Sequence, residues 1–201
     1  KTVKTDKGEY LFISKVIEGG DAVDKLPEIL LNMIGAIPFR KSMRWKDLDV
    51  RFARPMHWIA ALYDGQVVPF SFGDIASSNR SRGHRFMAPE EFTVTGMDDY
   101  LTQAEAHYVI PEVKKRQDLI EGQLKALEKQ LGGIITPDAE LLEEVGYLVE
   151  TPQALAGNIE ERFLQLPAEL LITSMREHQR YFTLSDDQGK LLPHFITIAN
   201  T

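Results

Sequence analysis

The chain has no cysteine, which excludes disulfide bonds and thiolate metal sites. Its five histidines form neither an HExxH motif nor a closely spaced pair, so we predict no metal site. No stretch approaches the roughly 20 apolar residues that a membrane span needs, and the polar start KTVKTDKGEY is unlike a signal peptide. These absences predict a cytoplasmic protein that makes no membrane contact.

Several catalytic motifs are also missing. The phosphate-binding loops GxxxxGK[ST] and GxGxxG do not occur, and neither does the serine elbow GxSxG. No histidine is followed directly by aspartate, as a phosphohydrolase site of the HD type requires. Paired carboxylates such as Glu143-Glu144 are sequence neighbours, which do not face each other on a helix or strand. We therefore predict no catalytic residues and no cofactor in this chain.

Arginine is concentrated in three short runs that also contain histidine or aromatic residues: RFARPMHW from Arg51, RSRGHRF from Arg80 and TSMREHQRYF from Thr173. The net charge is -7 and the isoelectric point is near 5.3, so the runs are local exceptions. The planar guanidinium group suits phosphate and carboxylate partners. The runs predict a local contact with a polyanion, and the alternative for each is a solvated face or a structural ion-pair network.

The second run is the most site-like of the three. Its glycine permits a tight turn that could bring Arg82, His84 and Arg85 to one anion. In the third run, Arg176 and Arg180 lie at a predicted helix end, where a structural interaction with the helix dipole competes with a binding role. The candidate RNA-binding residues are Arg51, Arg54, Arg80, Arg82, His84, Arg85, Arg176, Arg180 and Tyr181.

The order of predicted elements favours an α+β fold with a mixed or antiparallel sheet and packed helices. We predict one domain over residues 1–201, with a possible helical subdomain at about 98–146. Asp64-Gly65 is the strongest turn signal, since both positions of a two-residue hairpin turn need positive φ. The predicted helices are one from Pro27 to Pro38, 98–107, one from Pro111 to Gly132-Gly133, 137–145 and 167–177. The predicted strands are 10–16, 58–63, 66–72, 108–110, 147–149, 154–159, 181–184 and 195–199, and 73–83 is a predicted exposed loop.

Five motifs follow one another along the chain, and three of them overlap the arginine runs. They are PFRKSMRW, RFARPMHWIAAL, RGHRFMAP, EVGYLVETP and LPAELLITSMREHQRYF. In this order they resemble the β subunit of the bacterial heterotetrameric glycyl-tRNA synthetase, and the resemblance covers nearly all of the chain. Lys1 stands where an initiator methionine would be, and the chain stops just after a strand-like run. We therefore expect a fragment of a longer chain, from the N-terminal half of that subunit.

The resemblance implies a partner α subunit, which binds glycine and ATP with magnesium and forms glycyl-adenylate. It implies that this region resembles the B3/B4-type domain of the phenylalanyl-tRNA synthetase β subunit. The leading hypothesis is a noncatalytic module that supports tRNA(Gly) binding and assembly with the α subunit and the rest of the β subunit.

Two alternatives remain at this stage. A hydrolytic domain that edits mischarged tRNA would need a pocket with Arg82, His84 or Thr173-Ser174 beside the ester. A protein interface would use the arginines and aromatics as anchors for the α subunit or for another part of β.

Overall fold

The structure is a computed structural model that describes residues 2–11, 13–16 and 18–201. Packing divides the chain into two compact units, the first ending at Ser78 and the second running from Asn79 to Thr201. Helices and several small sheets are present, which confirms the predicted α+β class. The number of domains that fold independently stays a prediction.

The first unit begins with a hairpin of β1 (Thr2–Thr5) and β2 (Gly8–Leu11). The predicted strand at 10–16 is wrong beyond Leu11, because residues 13–16 have no regular structure, and Phe12 lies outside the described residues. The backbone of Gly8 has φ of 126°, which suits glycine at the turn.

Helix α1 (Ala22–Ala36) begins five residues before Pro27, which lies inside it rather than in its first turn. The helix ends as predicted ahead of Pro38, and its C-cap Ile37 is extended. Every residue of α1 is at least partly exposed.

The rest of the first unit is built from short strands around an aromatic core. Asp64 and Gly65 have φ of 48° and 73°, which confirms the predicted turn. The loop predicted at 73–83 is wrong, because residues 75–78 and 80–82 form strands. Ser77 donates to the carbonyl of Val68 and accepts from the amide of Phe70, so this small polar residue binds the segment 68–70. The strands are β3 (Ile59–Ala60), β4 (Leu62–Tyr63), β5 (Gln66–Val67), β6 (Ser71–Phe72) and β7 (Ile75–Ser78), of which β4 pairs with β5 and the others form a sheet ordered β3-β7-β6. The buried core residues are Trp45, Ile59 and Phe72.

The second unit contains the larger sheet and most of the helices. Its antiparallel sheet has the order β10-β12-β13-β11, and β8 and β9 form a separate antiparallel pair. The elements are β8 (Arg80–Arg82), β9 (Glu91–Thr93), α2 (Met97–Ala106), α3 (Val113–Leu131), β10 (Ile134–Ile135), α4 (Ala139–Leu148), β11 (Pro152–Asn158), a 3-10 helix (Glu161–Gln165), α5 (Ala168–Thr173), a π-helix (Ser174–Gln179), β12 (Phe182–Ser185) and β13 (Leu191–Asn200).

Helix α3 packs apolar side chains on this sheet. Ile120 on the helix and Leu184 and Ile196 on the strands are fully buried. The helix ends at Gly132, whose φ is 67° and whose amide donates to the carbonyl of Glu128 at 2.9 Å. This is the predicted glycine stop.

Two short strand predictions in this unit are wrong. Residues 108–110 form a turn and an extended segment, in which Tyr108 has φ of 59°, and Tyr147 and Leu148 complete α4 instead of starting a strand. Short apolar runs fit either state, so the pattern alone does not distinguish them. No helix of the described residues is long and apolar enough to cross a membrane.

Candidate nucleic-acid interface

The segment 82–89, which we call the RGHRFMAP loop, is held in one conformation by its second residue. A Cβ atom on Gly83 would lie 2.2 Å from the carbonyl oxygen of Ala88 and 2.6 Å from Cβ of His107. The next amide, of His84, donates to the carbonyl of His107 at 2.8 Å. The loop is therefore packed against the C-terminal end of α2 so closely that only glycine fits.

His84 is the internal support of this loop. Its side chain is 1% exposed, and its Nδ1 atom accepts from the amides of Phe86 and Met87, each at 3.3 Å. Since Nδ1 is an acceptor, the proton of the neutral ring lies on Nε2. A buried ring in this position orients the loop and offers no exposed face on which a base could stack.

The tip of the loop faces outward. Phe86 is 82% exposed and Arg85 is exposed, with its guanidinium carbon 6.0 Å from the centre of the Phe86 ring. Phe86 therefore presents an aromatic face outward on a well-supported loop, beside the guanidinium of Arg85. Our sequence reasoning missed Phe86, although an aromatic residue beside arginine in a glycine-containing loop is a signal that could have found it.

The two arginines of β8 lie on the neighbouring strand pair. Arg80 and Arg82 contact the carboxylate of Glu91 on β9 at 3.4 and 2.6 Å. The hydrogen bond from Arg82 lowers the pKa of the Glu91 carboxyl below its usual range. Arg82 is thus engaged with Glu91, and the convergence of Arg82, His84 and Arg85 on one anion stays a prediction.

Arg176 belongs to an ion-pair network. Its guanidinium donates to Asp138 at 2.5 Å, to Glu140 at 2.7 Å and to Glu177. The hydrogen bond to Asp138 is the largest cause that raises the pKa of Arg176, and it lowers the pKa of Asp138 in turn. Asp138 also caps α4 by accepting from the amide of Leu141 at 2.9 Å. Arg176 therefore joins the π-helix to the start of α4.

The other two candidates of the third run are also used in packing. Arg180 donates to Glu144 at 2.6 Å and to the carbonyl of Glu177. Tyr181 stacks on Phe195, with ring centres 4.5 Å apart and planes 10° from parallel. One face of the tyrosine ring is therefore covered, and the structural alternative fits this run better than the binding role.

Arg51 and Arg54 lie in the first unit and are exposed. Neither forms an ion pair within the part of the chain that the structure describes. Arg51 precedes Phe52, whose backbone pairs with that of Met43 at 2.8 and 3.2 Å. Both arginines have guanidinium groups available for an anionic partner.

The RGHRFMAP loop forms one wall of a cleft of about 520 Å³ in the second unit. Of the residues considered for an editing site, His84 lines this cleft, and Arg82, Thr173 and Ser174 do not. Within the described residues there is no cluster of three histidine, aspartate or glutamate side chains that could hold a metal ion.

Comparisons with known proteins give one family. The profile described as "Glycyl-tRNA synthetase beta subunit" matches residues 1–201. A relative named glycine–tRNA ligase beta subunit from Syntrophotalea carbinolica is 61% identical over 198 residues, which cover 98% of this chain and 29% of the relative. Proteins of the same name from Geobacter sp. strain M21 and Citrifermentans bemidjiense are each 57% identical over 201 residues, again 29% of their length. The chain thus spans less than a third of the curated relatives it matches, and it belongs to the glycyl-tRNA synthetase beta subunit family.

Proposed function

We propose that this chain is a noncatalytic part of a glycine–tRNA ligase that helps to bind tRNA(Gly) and to assemble the β subunit with its α subunit. Family membership and the names of the relatives support a role in glycylation. In this proposal the α subunit supplies the site for glycine, ATP and magnesium, and the enzyme works in the cytoplasm. The mixture of helices and small sheets is compatible with a fold of the B3/B4 type, which we include in the proposal.

The observation that carries the RNA-binding proposal is the exposed pair Arg85 and Phe86 on its buried support. A guanidinium group binds phosphate oxygens, and an exposed ring offers a face on which a base can stack. Because Gly83 and His84 fix the loop, these groups lose little freedom when they bind. A preorganised arginine and aromatic pair is therefore a good contact for an RNA backbone and its bases.

The candidate arginines differ in whether their guanidinium groups are available for a phosphate. Arg51, Arg54 and Arg85 are exposed and have no ion pair among the described residues. Arg80 and Arg82 would have to share their positive charge between Glu91 and the RNA. Phosphate contacts of this kind position RNA without reading its sequence, so we propose that other regions discriminate between tRNAs.

The proposal is tested by fluorescence anisotropy with labelled tRNA(Gly), an unrelated tRNA and a series of salt concentrations. Replacing Arg85 by alanine should weaken binding to both tRNAs and reduce the slope of log K against log salt by about one. The matched control is Arg162→Ala, because Arg162 is an exposed arginine whose guanidinium lies 4.8 Å from the ring of Phe163 in the same unit. Absence of binding at low salt, or equal effects of the two substitutions, would refute the assignment.

Contact with another protein chain is the second role, and α1 favours it. Ile29 and Met33 are each 55% exposed and Ile37 is 42% exposed, so this helix presents apolar side chains outward. Coexpression with the α subunit followed by gel filtration tests this role. Ile29→Glu should abolish coelution if α1 is the contact, whereas an unchanged elution profile would assign the contact elsewhere.

A further inference from the structure

The cleft behind the RGHRFMAP loop contains a buried hydrogen-bond donor that lacks an acceptor. The Nε2 atom of His84 is sealed from solvent and has no hydrogen-bond partner. A carboxylate oxygen of Glu150 lies 3.9 Å from this nitrogen, which is beyond hydrogen-bond distance. A buried polar group that stays unpaired costs free energy, and such groups are rare in folded proteins. His84 therefore has a free donor at the wall of a cleft.

The carboxylate of Glu150 places an acceptor beside this donor. The backbone around it is fixed, because the side-chain oxygen of Asn200 accepts from the amides of Glu150 and Thr151 at 2.8 and 3.0 Å. The side chain itself is half exposed, so it can move to admit a ligand. Every nucleobase has a donor beside an acceptor on its pairing edge, and a donor and an acceptor from the protein complement that arrangement.

Aromatic rings stand at the rim of the same cleft. Phe86 and Tyr147 both line it, and both are largely exposed. They belong to different elements, the RGHRFMAP loop and the last turn of α4. Rings in this position can stack on a flat ligand whose edge reaches the interior, as in proteins that bind unpaired bases.

The wall of the cleft also carries positive charge. Arg116 is 8% exposed, and its guanidinium donates to the carbonyls of Gly146 at 2.8 Å, Pro111 at 2.9 Å and Ile110. It has no carboxylate within ion-pair distance among the described residues, and its recorded hydrogen-bond acceptors are backbone carbonyls. With Arg85 at the rim, the cleft can accept an anion as well as a base.

We propose that this cleft binds one unpaired nucleotide of an RNA strand. The base edge accepts from Nε2 of His84 and donates to Glu150, the base stacks against Phe86 or Tyr147, and Arg85 contacts the phosphate. The volume of about 520 Å³ lies within the range of small-molecule sites. The inference deepens the proposed function and rests on it. The surface that contacts the phosphates of an RNA would also bind one of its bases, in this cleft.

The first test needs no tRNA. The 15N and 1H signals of the His84 ring are followed by NMR while the protein is titrated with adenosine, cytidine, guanosine or uridine 5′-monophosphate. At least one nucleotide should shift the Nε2–H signal of His84, and the other four histidines are internal controls. Inorganic phosphate is the comparison ligand. If no nucleotide shifts the signal, or if phosphate shifts it equally, the proposal is wrong.

The second test separates single strands from duplexes. Replacing Phe86 by alanine should weaken binding of a short single-stranded oligoribonucleotide about tenfold and leave the affinity for a duplex of the same sequence unchanged. Glu150→Gln should weaken single-strand binding without changing the duplex affinity, and the matched control Phe163→Ala should change neither. Both replaced side chains are exposed, so circular dichroism should show an intact fold.

The outcomes distinguish this inference from the proposed function. Nucleotide shifts at His84 without tRNA binding would support the cleft and refute the RNA-binding proposal. Conversely, tRNA binding that depends on Arg85 and Phe86 but not on Glu150, with no nucleotide shift, would keep the proposed function and refute the cleft. If Phe86→Ala leaves RNA affinity unchanged but abolishes association with the α subunit, the cleft is a protein contact and the proposal is wrong.

Discussion

Replacing Gly83 by alanine tests the claim that the RGHRFMAP loop is a tightly packed support. The new Cβ atom would lie 2.2 Å from the carbonyl oxygen of Ala88 and 2.6 Å from Cβ of His107. Atoms of this kind rarely come closer than 3.0 Å, so the loop and the end of α2 must separate. The separation cannot be absorbed by a flexible side chain, because the nearest obstacle is backbone.

The cost follows from the contacts that would be lost. Overpacking costs about 1–3 kcal/mol, and the hydrogen bond from the His84 amide to the His107 carbonyl contributes about 1 kcal/mol more. We expect the free energy of unfolding to fall by about 3 kcal/mol. The matched control is Gly122→Ala in the middle of α3, where a Cβ atom meets nothing within 4 Å and helix propensity should raise stability by about 0.5–1 kcal/mol.

Urea unfolding followed by far-ultraviolet circular dichroism measures both variants against the unchanged protein. Opposite signs for the two glycine substitutions would support the packing argument. If the free energy of unfolding of Gly83→Ala lies within about 1 kcal/mol of that of the unchanged protein, the packing argument is refuted. A loss that small is less than the steric overlap of the new Cβ atom with the backbone should cost.

The remaining predictions concern the network around Arg176. Arg176→Ala should lower the melting temperature and leave tRNA affinity unchanged, because the arginine donates its hydrogen bonds to Asp138, Glu140 and Glu177. Weaker tRNA binding with an unchanged melting temperature would show instead that this arginine contacts RNA. Acid should weaken the same network. In the folded protein the pKa of Asp138 is lowered, chiefly by the hydrogen bond from Arg176. The ionised carboxyl therefore stabilises the fold fully above the ordinary carboxyl pKa of about 4. This stabilisation is lost as the pH falls from there through the pKa that Asp138 has in the folded protein. Thermal melts of the unchanged protein and of Arg176→Ala between neutral pH and pH 3 should therefore converge as the pH falls, and curves that stay parallel would contradict the linkage.

Local signals in the sequence predicted the elements whose ends depend on one or two residues. Gly132 stops α3 and Asp64-Gly65 turns a hairpin because positive φ is needed at those positions and few residues adopt it. The loop predicted at 73–83 was wrong for the opposite reason. Residues 75–78 and 80–82 form strands, and Ser77 satisfies the backbone of the neighbouring segment 68–70, which composition alone does not reveal.

The candidate site was predictable only in part. The runs identified Arg85 and its loop, but the pairing of Arg176 with Asp138 joins residues 38 apart in sequence, and that of Arg180 with Glu144 joins residues 36 apart. Such distant partners cannot be found from spacing. Gly83 was predicted to permit a tight turn, whereas in the structure it allows the loop to pack closely against the end of α2.

The position of β13 in the larger sheet has a consequence for synthesis of the protein on the ribosome. This strand (Leu191–Asn200) pairs with β11 on one side and β12 on the other, yet it is the last of the four to be made. Until it leaves the ribosome, the facing edges of β11 and β12 have no partner, although α3 and α4 are already complete and can pack against each other. Helix packing in this unit can therefore precede closure of the sheet, and the nascent chain has two open strand edges during that interval.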